Sequence, residues 1–79
     1  MRTVTIHGDH ITLAQALKEA GVAGSGGQAK HLVRSATVLV NDSVETRPGR
    51  KLVAGDRFRV GEEEEWLVQH GSDGTVSGP

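Results

Sequence analysis

Two copies of one four-residue device constrain this chain more than anything else in it: Thr12-Leu-Ala-Gln15 and Ser25-Gly-Gly-Gln28. In each, a hydroxyl can accept from the amide three residues on, while the Gln side chain reaches back to the cap amide. That reciprocal pattern starts a helix. After the first device, Leu13, Ala16, Leu17 and Ala20 follow the spacing of one helical face. After the second, Ala29, Leu32, Val33 and Ala36 do the same. Gly21 suits a left-handed stop to the first helix. Only residues 21–24 separate the two helices, so they are predicted to pack directly against each other. Lys30 and Arg34 are four apart and share the exposed face of the second.

The remaining chain reads as short strands and turns. Thr3-Val-Thr-Ile6 alternates polar and apolar residues, and Gly8-Asp9 is a turn signal. Val38-Leu-Val40, the Asn41-Asp42 turn pair and Val44 predict a tight hairpin. Pro48-Gly49 suits a type II turn. Leu52 and Val53 precede a Gly55-Asp56 turn. Phe58 and Val60 alternate with Arg57 and Arg59, predicting a strand with one wet, basic face. Residues 65–70 alternate again and are expected to form a final edge strand. Residues 71–79 are rich in Gly and Ser and are expected to be disordered.

Composition bounds the function. Seventy-nine residues make one small domain, and with 35% apolar residues its core must come from Val, Leu, Ile and Ala. Such a domain has little room for a deep catalytic cavity. Cys is absent, so disulfides and thiolate metal sites are excluded. No apolar run is long enough to span a bilayer. A cytoplasmic protein with no membrane partner is the expectation. The net charge of −1 hides a segregation: residues 10–60 carry eight cations and four anions, while residues from 61 onward carry five anions and no cation. Charge asymmetry speaks to partners, whereas the total does not.

Several constellations compete for a chemical reading. Residues 24–29 match a dinucleotide-binding pattern, but that pattern needs a strand before it, and here a helix precedes. Gly26 and Gly27 could admit an anion to the start of the second helix, or could merely relieve crowding against the first. His7, His10, His31 and His70 lack the paired spacing of a zinc site, so no metal is expected. No catalytic group or cofactor identifies itself. Lys30, Arg34, Arg47, Arg50 and Lys51 form a candidate basic patch for phosphates. Charge alone favours a solvated face, because Lys and Arg are surface residues by default. Phe58 and Trp66 are the only aromatic residues, and both fall at apolar strand positions. Single-strand binders use several exposed rings. A nucleic-acid ligand would therefore be read by shape and phosphate.

Five stretches, taken in order and spacing, resemble a known family: Ile11-Thr-Leu-Ala-Gln-Ala-Leu-Lys18, Ser25-Gly-Gly-Gln-Ala-Lys-His-Leu-Val33, Val38-Leu-Val-Asn41, Val44-Glu-Thr-Arg47, and Gly49-Arg-Lys-Leu52 with Gly55-Asp56. Together they resemble the S-four-type RNA-binding domain, the alpha-L motif, and look most like its small free-standing YbcJ/YaaA-type members. The resemblance implies an α+β fold, with two short packed helices against a small, mainly antiparallel sheet, spanning residues 1–70. It implies a non-enzymatic module that holds structured RNA, ribosomal or transfer, along the second helix and the hairpin, and acts as a monomer with the ribosome among its expected partners. Carried onto this chain, the RNA-facing positions are Gln28, Lys30, His31, Arg34, Arg47, Arg50 and Lys51. Four positions depart from the pattern: Ala36 replaces a helix-ending Gly, Asp42 a turn Gly, Gly26 a frequent Arg, and Pro48 a frequent base. Two other readings remain open at this point. One is a DNA-binding helix-turn-helix, which the two short helices also fit. The other is a protein-interaction module that keeps the fold without the RNA.

Overall fold

A computed structural model describes residues 2–71 of the chain. The segment expected to be a disordered tail lies, from residue 72 on, outside the described residues. The chain forms β1 (Arg2–Ile6), β2 (Ile11–Thr12), α1 (Leu13–Glu19), α2 (Gly26–Arg34), β3 (Val38–Val40), β4 (Ser43–Val44), β5 (Lys51–Leu52), β6 (Arg57–Val60) and β7 (Trp66–His70). Five strands make one sheet in the order β1-β7-β6-β3-β4, and β2 pairs with β5 in a second, two-stranded ladder. Every pairing is antiparallel except β1 with β7. This is the α+β class that the sequence implied.

Both helices start where their caps dictate. The Thr12 hydroxyl accepts from the Gln15 amide at 3.2 Å, and the Gln15 side chain accepts from the Thr12 amide at 3.1 Å. Each such cap contributes about 1 kcal/mol. The second device is only half of what the sequence suggested. The Ser25 hydroxyl accepts from the Gln28 amide at 3.2 Å, but the Gln28 oxygen accepts from Gly24, at 2.7 Å, rather than from Ser25. The glycine-rich approach lets the backbone of residue 24 swing within reach, so the Gln secures the loop one residue earlier.

The helix ends differ in chemistry. Gly21 takes φ +76°, and the Gly21 and Val22 amides donate to Lys18 and Leu17, which closes α1 in a Schellman motif. At the end of α2 the same left-handed role falls to Ala36, with φ +63°. Ala36 therefore does not extend the apolar stripe of α2; it is exposed beyond the helix. The Leu32 carbonyl left by this exit accepts from the hydroxyls of Ser35, at 2.6 Å, and Thr37, at 3.3 Å.

One core joins the layers. Leu13, Ala16 and Leu17 of α1 and Ala29 and Val33 of α2 face Val4, Val38, Val40, Phe58 and Val68 of the sheet, and Leu52 closes the end. Phe58 and Trp66 sit opposite each other on β6 and β7, with ring centroids 6.3 Å apart and planes within 8°. The Arg2 guanidinium lies 5.6 Å from the Trp66 ring, on the next strand.

Three turn and strand expectations are corrected. Strand β7 is interior, with β6 on one side and parallel β1 on the other, so β1 and β4 are the edges. The Pro48-Gly49 turn closes through the Arg50 amide to the Arg47 carbonyl at 3.1 Å. Gly49, however, is not among the positive-φ glycines, so the turn is not type II. Arg57 and Arg59 are half-buried and paired with acids rather than forming an open basic face. The Asn41-Asp42 turn behaves as read. Val40 pairs with Ser43, and both turn residues have positive φ, the mark of a type I′ hairpin.

Candidate nucleic-acid interface

The segment after the hairpin is fixed at both ends by backbone hydrogen bonds. The Glu45 amide donates to the Val38 carbonyl at 2.9 Å, just beyond the exit from α2. The Pro48 and Arg50 carbonyls accept from Ala14 and Leu13 at 3.0 and 2.8 Å, using amides that α1 cannot satisfy within its first turn. Lys51 then pairs with Thr12 in the small ladder. Residues 45–51 thus run from the chain leaving α2 to the start of α1. Arg47 and Arg50 lie on this segment and Lys51 closes it beside the start of α1, while Arg34 is the last residue of α2.

Lys30 sits one turn earlier on α2 and is exposed, as are Arg34, His31, Gln28 and Lys51. Gln28 lies six residues before Arg34, about 9 Å along the axis and about a third of a turn round the helix from it, so it does not share the face of Lys30 and Arg34. Its oxygen is already engaged by Gly24. The sequence-predicted residues therefore divide into Arg47, Arg50 and Lys51 at the α1 start and Gln28, Lys30, His31 and Arg34 spread along α2.

Glu45 is the residue that sequence reasoning missed. It is only 7% exposed, and it is the one buried charged side chain among the described residues. Its carboxylate accepts from the Arg47 amide at 3.0 Å, from Arg47 Nε at 2.9 Å and Nη2 at 3.2 Å, and from Arg50 Nη1 at 3.0 Å. The side-chain hydrogen bond from Arg47 pulls the Glu45 carboxyl down from 4.5 to about 2, with Arg50 adding to the effect and burial opposing it. Glu45 in turn raises Arg47 above its ordinary value. No sequence signal marks it: both residues of β4 are exposed, and alternation from an apolar Val44 would turn Glu45 outward.

Among the described residues every Lys and Arg falls into one of two sets. Arg2 pairs with Glu64, Arg47 and Arg50 with Glu45, Arg57 with Asp42 and Glu65, and Arg59 with Asp42. The side chains of Lys18, Lys30, Arg34 and Lys51 have no ion pair or hydrogen bond among the described residues. Three of those four are patch residues predicted from the sequence. The acidic run after β6 spends Glu64 and Glu65 on Arg2 and Arg57 and reaches none of the patch. Among the described residues no group of three His, Asp or Glu could hold a metal ion, and no helix is long and apolar enough to cross a membrane.

The decisive comparison covers the fold from β1 to β7: residues 4–69 match the family model for the S4 domain. The chain belongs to the S4 domain family. A curated relative is 49% identical over 57 residues, which is 72% of this chain and 80% of its own. It is the "Probable ribosome maturation protein RlbA" of Bacillus subtilis (strain 168). S4 domains are RNA-binding modules, and the match spans both helices, the hairpin and the 45–51 segment.

Proposed function

We propose that this S4 domain is a non-catalytic, monomeric, cytoplasmic RNA-binding module that recognises structured RNA and serves ribosome-related work. Ribosomal RNA is the favoured ligand, since the similar protein is described as a ribosome maturation protein. Transfer RNA is the secondary one. Lys30, Arg34 and Lys51 contact phosphates, and Arg47 and Arg50 present their outer guanidinium edges while Glu45 holds them in place.

The observation that carries this reading is the sorting of charge. An ion-paired arginine keeps its hydrogen-bonding fork largely occupied, whereas an unpaired cation can exchange its counterion atmosphere for a phosphate. The unpaired cations here include Lys30, Arg34 and Lys51, and all three border the α2 face or the 45–51 segment. The large rings of Phe58 and Trp66 are both committed to the sheet. Phosphate and shape recognition fit that supply.

The test is a binding series against folded ribosomal RNA fragments, a transfer RNA and a DNA duplex at rising salt. With about four phosphates neutralised, log K should fall against log salt with a slope of roughly −3 to −4. A flat response, or no binding to any RNA at low salt, overturns the reading. Tighter binding to the duplex would favour the helix-turn-helix alternative instead.

A further inference from the structure

Beside the cation row of α2 lies a cleft of about 330 Å³ lined by Val22, Ala23, Gly27, Gln28, His31 and Leu32. Its floor is apolar, and only Gln28 and His31 carry polar heads. The Gly24 amide can only donate, so the Gln28 atom that meets it at 2.7 Å is the oxygen. The Gln28 nitrogen is left without a partner among the described residues, as is the imidazole of His31. Helical spacing puts His31 between this cleft and the row of Lys30 and Arg34, three residues before Arg34 and four after Gly27.

We propose that this cleft receives one unstacked nucleobase of the bound RNA, which makes it a base-reading subsite of the phosphate-binding surface. The inference rests on the RNA-binding reading above. An apolar slot beside unpaired cations fits a nucleotide better than it fits a protein side chain, because a nucleotide places a flat ring within one side-chain length of a phosphate. The imidazole of His31 supplies the stacking plane that the buried Phe58 and half-buried Trp66 do not. With its oxygen engaged, Gln28 offers the base only an N–H donor. That selects a base edge bearing an acceptor, a carbonyl oxygen or a ring nitrogen, such as guanine offers. Gly27 is part of the lining, and a Cβ there would meet nothing closer than the Ser25 hydroxyl, at 3.9 Å, so a larger side chain fits without displacing the backbone.

The experiment is amide-shift mapping by NMR on the full chain with guanosine 5′-monophosphate, against ribose 5-phosphate as the probe without a base. Guanosine 5′-monophosphate should shift residues 22–32 saturably, and ribose 5-phosphate should shift only residues around Lys30 and Arg34. Gly27→Leu fills the slot and should abolish the base-dependent shifts while the spectrum stays dispersed. His31→Ala, an exposed change that leaves the core intact, should weaken guanosine 5′-monophosphate roughly tenfold. Identical shifts from both probes, or base-dependent shifts that survive Gly27→Leu, overturn the subsite. Failure of the salt series with folded RNA would instead remove the RNA reading, so the two failures are distinct.

Discussion

Glu45 grips Arg47 with both carboxylate oxygens, Nε to Oε2 at 2.9 Å and Nη2 to Oε1 at 3.2 Å, although Arg47 itself is 73% exposed. The anchor is buried and the anchored group is wet. This anchor keeps the post-hairpin segment in shape while leaving the far side of the guanidinium facing solvent.

Acid should unfold the domain partly through this group. The folded Glu45 titrates at about 2, below its ordinary 4.5, so its contribution is fully present above about 4.5 and fades as pH falls toward about 2. Urea denaturation from pH 7 to pH 2 should show that loss in the parent. Glu45→Gln should be less stable at pH 7, by about 1–2 kcal/mol, because Arg47 and Arg50 can turn to water once released. Its stability should also fall less steeply between pH 4.5 and pH 2. Parallel pH profiles would refute the assignment.

Charge removal on α2 should act on the ionic term. Lys30→Ala and Arg34→Ala should each weaken binding to folded RNA and flatten the log–log salt slope by about 1. Lys18→Ala, on the other helix, should leave the slope unchanged. Fluorescence anisotropy at four or more salt concentrations reads all three.

The exit from α2 is strained and can be relaxed. A left-handed backbone costs an L residue about 1–2 kcal/mol, and a glycine at Ala36 recovers most of it less its own entropy. Ala36→Gly should therefore stabilise the domain by about 1 kcal/mol, raising Tm by about 4–8 °C in calorimetry. Gly21→Ala, the reverse change at the equivalent point of α1, should lower it.

The hairpin tip should tune affinity without touching stability much. Asp42 pairs with Arg57 at 3.7 Å and Arg59 at 2.9 Å, but it is 61% exposed, so the two pairs contribute about 0–1 kcal/mol. Asp42→Gly removes the carboxylate and relieves its positive φ of 71°. Stability should stay within about 0.5 kcal/mol, while RNA binding tightens and becomes more salt-dependent as Arg59 loses its acid and Arg57 keeps only Glu65.

What the sequence revealed and what it concealed divide along the range of the interactions. The Thr12 cap, the Gly21 stop and the Asn41-Asp42 turn are each specified within four residues, and all three form as read. Half of the Ser25 device failed because two glycines gave the backbone a second option that spacing does not encode. Strand β7 was misplaced because its neighbour β1 lies some sixty residues away, and alternation reveals a strand without revealing who pairs with it. The β2–β5 ladder is two residues long and carries no period at all. In the site, Lys30 and Arg34 were legible from helical spacing. The state of Arg47 and Arg50 was not, because it depends on a buried carboxylate that reads like any other acid in a charged stretch.

The parallel joining of β1 to β7 has a temporal side. Among the described residues strand β1 has no other neighbour in the sheet, so its backbone finds a ladder partner only in residues 66–70. During synthesis the first strand made must wait, unpaired, until nearly all of the domain has emerged, and closure of the sheet is a late event in folding.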